Sequence, residues 1–260
     1  MSVMKKSILF AAIAAGAVAN AQSFTLTSGN SVANFVFGNA NQGAMRDWSV
    51  NGSADQMWEQ AYYLKVGPGP VQSLEDTAFT RTVTQIGPDT LKARYFHNVS
   101  GLEVLVNYYL NGSIGNTADM SEAVTINNLG NGPANFSLFQ YSDFDLAGTF
   151  AGDNAQVLNS STIGQAEGPF NVTVGVTRIP QVRGVGGQGA VKSAVLGGSI
   201  TPLGPNFGPG DAAFAFQYLD GVGAGQSWQM SADKILTVPE PATMAALGLG
   251  VAALLRRRRK

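Results

Sequence analysis

An all-β chain folded as an antiparallel β-sandwich, jelly-roll-like or a related double sheet, follows from three features of the sequence. Only 13% of the 260 residues are charged, while Gly numbers 32 and Phe 14. That composition is rich in turns and aromatic packing and poor in the Glu and Lys of helical proteins. Between residues 23 and 238, polar and apolar residues alternate in short runs, and no helical period stands out. Clusters of Gly, Asn, Pro and Asp interrupt the chain roughly every 10–15 residues, as turns do in a sandwich.

The elements follow in chain order. Ala54 to Lys65 would put Met57, Ala61 and Leu64 on one side of a three-turn helix, but its aromatics favour a strand. Leu91 to His97 and Leu102 to Leu110 flank the turn Asn98-Val-Ser-Gly101 and read as a hairpin, with Asn111-Gly112 as the next turn. Ala123 to Asn127 is a strand, residues 128–133 a loop, and Phe136 to Tyr141 the returning strand. Phe170 to Ile179 alternates well. Ala212 to Tyr218 and Ser227 to Leu236 close the body, linked by a Gly-rich turn. Gly184 to Gly189 and Thr201 to Gly210 read as Gly/Pro loops, too kinked for central strands. The first contains a Gly-x-Gly-x-x-Gly string, but with no βαβ unit and no helix expected after it, a dinucleotide site does not follow.

Both ends of the chain are ordered signals. Lys5 and Lys6 precede an apolar stretch from Ser7 to Val18, and Ala19-Asn20-Ala21 is a small-residue cleavage site. Residues 1–21 therefore read as a signal peptide, 22–237 as an extracellular sandwich domain, and 238–260 as a separate tail. The tail opens with Val238-Pro239-Glu240-Pro241, continues as an uncharged apolar segment over 242–255, and ends in Arg256, Arg257, Arg258, Arg259 and Lys260. A helix over that segment rises about 1.5 Å per residue and so spans about 21 Å. That is short of the roughly 30 Å hydrocarbon core. The long basic side chains reach past a short span and keep it cytoplasmic. A short C-terminal transmembrane helix is therefore expected, with the body outside.

The order of these three features, Pro-Glu-Pro, short apolar helix and Arg cluster, resembles the PEP-CTERM sorting signal of bacterial surface proteins. The resemblance covers about 23 residues and leaves the body unrecognised. It implies an exosortase as processing partner, membrane attachment before processing, and a final place at the cell surface or outside the cell. It also implies association with exopolysaccharide and biofilm.

Composition excludes several chemistries. The absence of Cys removes disulfide scaffolds and thiolate metal sites, and a single His removes sites that need two imidazoles. The formal charge of −1 averages unlike parts: the body alone holds nine basic and sixteen acidic residues, a charge of −7. An acidic body speaks against nucleic acid as a partner. Asp143, Asp145 and Asp153 form a candidate Ca²⁺ set, since Asp143 and Asp145 share a strand face and Asp153 can return across a Gly turn. Glu103 with Glu122, or Asp143 with Asp145, could serve as glycosidase acid pairs. His97 reads as structural, with no nucleophile elbow before it. Trp48, Trp58, Trp228, Tyr62, Tyr63, Tyr108 and Tyr109 are candidate sugar-stacking rings, one of each adjacent Tyr pair being expected at the surface. The resulting expectation is a non-enzymatic structural or adhesive protein with no resident cofactor except Ca²⁺ at the Asp set. An exopolysaccharide-binding module and an extracellular hydrolase are the alternatives.

Overall fold

A computed structural model describes residues 21–39, 42–112 and 115–240. The strands are β1 (Gln22–Ser28), β2 (Ser31–Phe37), β3 (Met45–Val50), β4 (Glu59–Val66), β5 (Val71–Ser73), β6 (Phe79–Gln85), β7 (Thr90–His97), β8 (Leu102–Gly112), β9 (Thr117–Asn128), β10 (Ala134–Asp143), β11 (Asp153–Asn159), β12 (Thr162–Glu167), β13 (Phe170–Val176), β14 (Val182–Gly187), β15 (Asn206–Gly210), β16 (Ala212–Val222) and β17 (Ser227–Thr237). They form two antiparallel sheets. One runs β1-β2-β3-β4-β10-β16-β14 with β5 beside β4, and the other runs β15-β11-β12-β13-β17-β9-β8-β7-β6.

The expected double sheet is present, and period-2 alternation explains it. Along β9 every second residue, from Ala118 to Asn128, is buried. Inward rings of the two sheets meet edge to face, as Phe35 does with Tyr108 at 4.9 Å and Phe136 with Trp228 at 5.4 Å. A polar bridge also crosses this core. Lys234 Nζ of β17 lies 2.5 Å from Glu122 Oε1 of β9, both side chains being fully buried. Tyr62 of β4 donates to Glu122, and so do the amides of Gln60 and Gln140, at 3.5 and 3.3 Å.

The β7–β8 hairpin forms as expected, and residues 59–66 are strand rather than helix. Two expected pairings differ. β10 does not return beside β9, and β16 does not pair with β17; the members of each pair lie in opposite sheets. Their linkers pass from one sheet to the other at the ends of interior strands, and alternation along a strand does not encode which sheet it joins. The third difference is a helix, α1 (Gln188–Leu196), directly after β14. Its nine residues bury only Val191 and Val195, too short a stripe to show as a period. These valines cover the outer face of the first sheet against Phe139, Tyr141, Ala213 and Ala215. The glycine run before it is strand, not loop. A Cβ on Gly184 would lie 2.5 Å from the Leu203 side chain, so glycine lets the segment after α1 close on the sheet. The Pro-Gly stretch near residue 210 is strand too, but at a sheet edge.

Among the described residues no helix is long and apolar enough to cross a membrane. The expected signal peptide with Ala19, and Pro241, the apolar segment 242–255 and Arg256 to Lys260, lie outside the described residues. Ala21 directly precedes β1 and is exposed. At the other end Val238 is buried, and its N–H donates to the Asn116 carbonyl at 2.8 Å, while Glu240 is exposed. The body is thus tied down as far as Val238, and the charged residue of the sorting motif stands clear of it.

Candidate functional site

Three carboxylates meet where two neighbouring strands of the first sheet end. Asp143 is the last residue of β10, and its Cα pairs with Ala213, near the start of β16. Asp211 immediately precedes β16. Asp145 caps a short 3₁₀ turn, Leu146–Gly148, that follows β10. Oxygen atoms of Asp143, Asp145 and Asp211 all lie within 4.8 Å of one another. The turn is held in place by Leu146, which is buried, and by Ala147 N–H, which donates to Gln56 Oε1 at 2.8 Å. The first amide of α1, Gln188, donates to the Asp211 carbonyl at 2.9 Å.

These acids floor a cleft of about 230 Å³ whose other walls are Trp58, Phe150 and Gln188. Trp58 and Phe150 are 47% and 67% exposed, unusual for rings of this size. The Trp58 N–H donates to the Asp143 carbonyl at 3.0 Å, and the Arg46 guanidinium sits 5.3 Å from the Trp58 ring centre. That backbone bond ties Trp58 to β10, and its exposed ring stands beside the acids.

Burial and mutual repulsion shape the electrostatics. Burial, with Asp211, Asp145 and Glu59 nearby, pushes the Asp143 carboxyl up to about 8. Burial and Asp211 push Asp145 up to about 6, and burial raises Asp211 as well. Tyr141 Oη donates to Asp143 Oδ2 at 3.1 Å, but Asp143 Oδ1 is buried without a partner. Two cations near the site are engaged elsewhere: Lys192 Nζ of α1 lies 2.5 Å from Glu59 Oε1 and over the rings of Tyr63 and Tyr141, and Arg46 lies over the Trp58 ring. Among the described residues none of the three acids forms a salt bridge.

Of the expected set Asp143, Asp145 and Asp153, the structure brings the first two together. Asp153 is fully buried at the start of β11, its carboxyl pushed up to about 8 by burial, and it lies outside the group of three. Asp211 takes its place because β16 lies beside β10, an adjacency across 68 residues of chain that spacing does not reveal. The only sequence signal for Asp211 was an acid after Pro209-Gly210 at the head of a strand. Glu103 and Glu122 cannot face each other. Glu122 points into the core, whereas Glu103 alternates with buried Leu102 and Val104 and binds Arg94 and Asn127. His97 is structural: Nδ1 meets Ser100 Oγ at 2.7 Å and Nε2 meets Gln72 Oε1 at 3.2 Å, closing the β7–β8 turn. Of the seven candidate rings only Trp58 and Tyr109 are exposed. Tyr62 and Tyr63 are both buried, because α1 covers the second face of their strand.

No curated protein matches the chain by sequence. Solved structures match it in fold. A bacterial glucoamylase complexed with acarbose superposes with a TM-score of 0.58 at 9% identity over 89% of this chain. This chain spans about a third, 36%, of that protein. The Slr1438 protein from Synechocystis sp. PCC 6803 gives 0.56 at 12% identity, covering 85% of this chain and 97% of that one. A GalM/aldose epimerase homologue from C. elegans gives 0.52 at 9% identity, covering 85% and 100%. At these identities the likeness is one of fold. It nevertheless overturns the expectation of a non-enzymatic body, since the architecture is one that sugar-processing proteins carry. The tail is matched directly: residues 237–260 fit the PEP-CTERM protein-sorting motif, which implies export, membrane-linked sorting and an exosortase as processing partner.

Proposed function

We propose that the protein is sorted to the outside of the cell by its tail and that its body takes a carbohydrate into the acidic cleft and acts on it by acid–base chemistry. The observation that carries this is the convergence of three carboxylates within 4.8 Å beside an exposed Trp ring. Aromatic faces stack on sugar rings, and paired acids about 5–5.5 Å apart perform double displacement at an anomeric carbon. Asp143, which keeps its proton to higher pH than Asp145, donates it to the departing oxygen as the glycosidic bond breaks. Asp145, ionised, attacks the anomeric carbon; Asp143, now ionised, then takes a proton from the water that displaces Asp145 and frees the sugar. The cleft is small, so it receives a single terminal residue rather than the middle of a chain. The test is reducing-sugar release from oligosaccharides by the full chain and by Asp143→Asn and Asp145→Asn. Each variant is expected to lose at least about 100-fold in turnover. Release that survives both substitutions overturns the reading.

The unpartnered Oδ1 of Asp143 supports a second reading, Ca²⁺ held by Asp143, Asp145 and Asp211. A melting temperature raised by Ca²⁺ in the wild type but not in Asp143→Asn supports it; identical melting with and without Ca²⁺ refutes it.

A further inference from the structure

We infer that the outer face of the second sheet carries a separate binding groove for an uncharged polysaccharide chain. The inference rests on the body being carbohydrate-directed, and its test separates the groove from the cleft. The groove, about 500 Å³, lies over β11, β12 and β13 with β15 at one end. Register explains its shape. Asn154, Ala166 and Asn171 stand in one row across β11, β12 and β13, and Gln156, Gly164 and Thr173 in the next. Ile163 and Gln165 of β12 point inward, so these rows face solvent. The middle strand thus offers only Gly and Ala, while the flanking strands raise amides on either side. Strands about 4.8 Å apart put the two amide walls about 10 Å from each other, the width a pyranose ring needs with its hydroxyls spread. Gly164 makes room for Leu158, whose exposed side chain lies over it, 3.1 Å from where a Cβ would stand, and gives the floor an apolar face. Asn206 of β15, in register with outward-facing Gln156, adds a further amide beyond β11.

The choice of ligand comes from charge. The body carries a formal charge of −7, yet no side chain lining this groove is charged. Amides both donate and accept, as sugar hydroxyls do, and an uncharged wall gives a uronate or phosphate group no counterion. The groove also adjoins the cleft along the chain: β15 ends at Gly210, one residue before Asp211, and Phe150 of the cleft lies three residues before β11.

Affinity electrophoresis of the full chain through gels containing a neutral glucan, mannan or galactan, or alginate as the anionic control, tests this. Retardation by at least one neutral polymer is expected, insensitive to salt, and none by alginate. Gln156→Ala with Asn171→Ala should weaken it at least tenfold without changing the melting temperature, and Thr173→Arg, which fills the trough, should do the same. Asp143→Asn and Trp58→Ala should leave it intact. Retardation by alginate alone, by no neutral polymer, or persisting in both groove variants overturns the inference. Loss only in the cleft variants assigns the binding to the cleft and overturns the groove.

Discussion

Two clusters of buried acid in this molecule are treated in opposite ways. In the sandwich core, Glu122 is given Lys234, the Tyr62 hydroxyl and two amides. At the end of the other sheet, Asp143 is given one tyrosine hydroxyl and two further acids, and one of its oxygens has no partner. Desolvating a carboxylate is costly in both places. The core offsets that cost with a charge partner and fixes the register of the two sheets. The cleft leaves it uncompensated, which is the contrast on which the proposed chemistry of these acids rests.

The largest effect is expected from breaking the core pair on one side. Lys234→Met leaves Glu122 in the core without its charge partner and should lower the unfolding free energy by about 3–5 kcal/mol in urea titrations. A loss under about 1 kcal/mol would mean that water or rearrangement satisfies Glu122, and the contrast would fail.

Asp143→Asn should do the reverse and stabilise the fold above neutral pH while abolishing turnover. The sign follows from linkage. The folded pKa of Asp143, about 8, stands above its ordinary value of 3.8, so between those pH values the folded state binds more protons than the unfolded one. Stability should therefore fall as pH rises from about 4 to about 8, with Asp153 contributing in the same direction. Chemical denaturation in EDTA across that range, for wild type and Asp143→Asn, measures it. The variant should show the shallower slope, and equal slopes would remove Asp143 from the account.

The smallest effect belongs to the platform. Trp58→Ala touches no core ring and should leave stability within about 0.5 kcal/mol. It should weaken sugar binding in the cleft by about 0.5–1.5 kcal/mol, several-fold by calorimetry. A large loss of stability would show that the exposed ring is part of the scaffold after all.

Much of the architecture was legible because it is local. Alternation along β7, β8, β9 and β13 and the turn Asn98 to Gly101 mark strands and a hairpin without reference to the rest of the chain. The Pro-Glu-Pro and Arg-rich tail is legible for the same reason, since residue order alone defines it. The helix at 188–196 was not, because two valines make too weak a period and the glycines before it read as a loop. The adjacent tyrosines 62 and 63 looked half exposed only because nothing in their own strand announces the helix that covers it.

The sequence by itself determined the β class, the acidity of the body, and the sorting signal, which are properties of composition and of neighbours in the chain. Tertiary structure alone decided which sheet β10 and β16 joined, that Asp211 rather than Asp153 stands beside Asp143 and Asp145, and that Glu122 is a core ion rather than a surface acid. Those outcomes depend on contacts between residues 60 to more than 100 positions apart, such as Tyr62 with Glu122 and Glu122 with Lys234. Pairing across such separations is set by how two whole sheets bury their inner faces together, a condition no short stretch of the chain expresses.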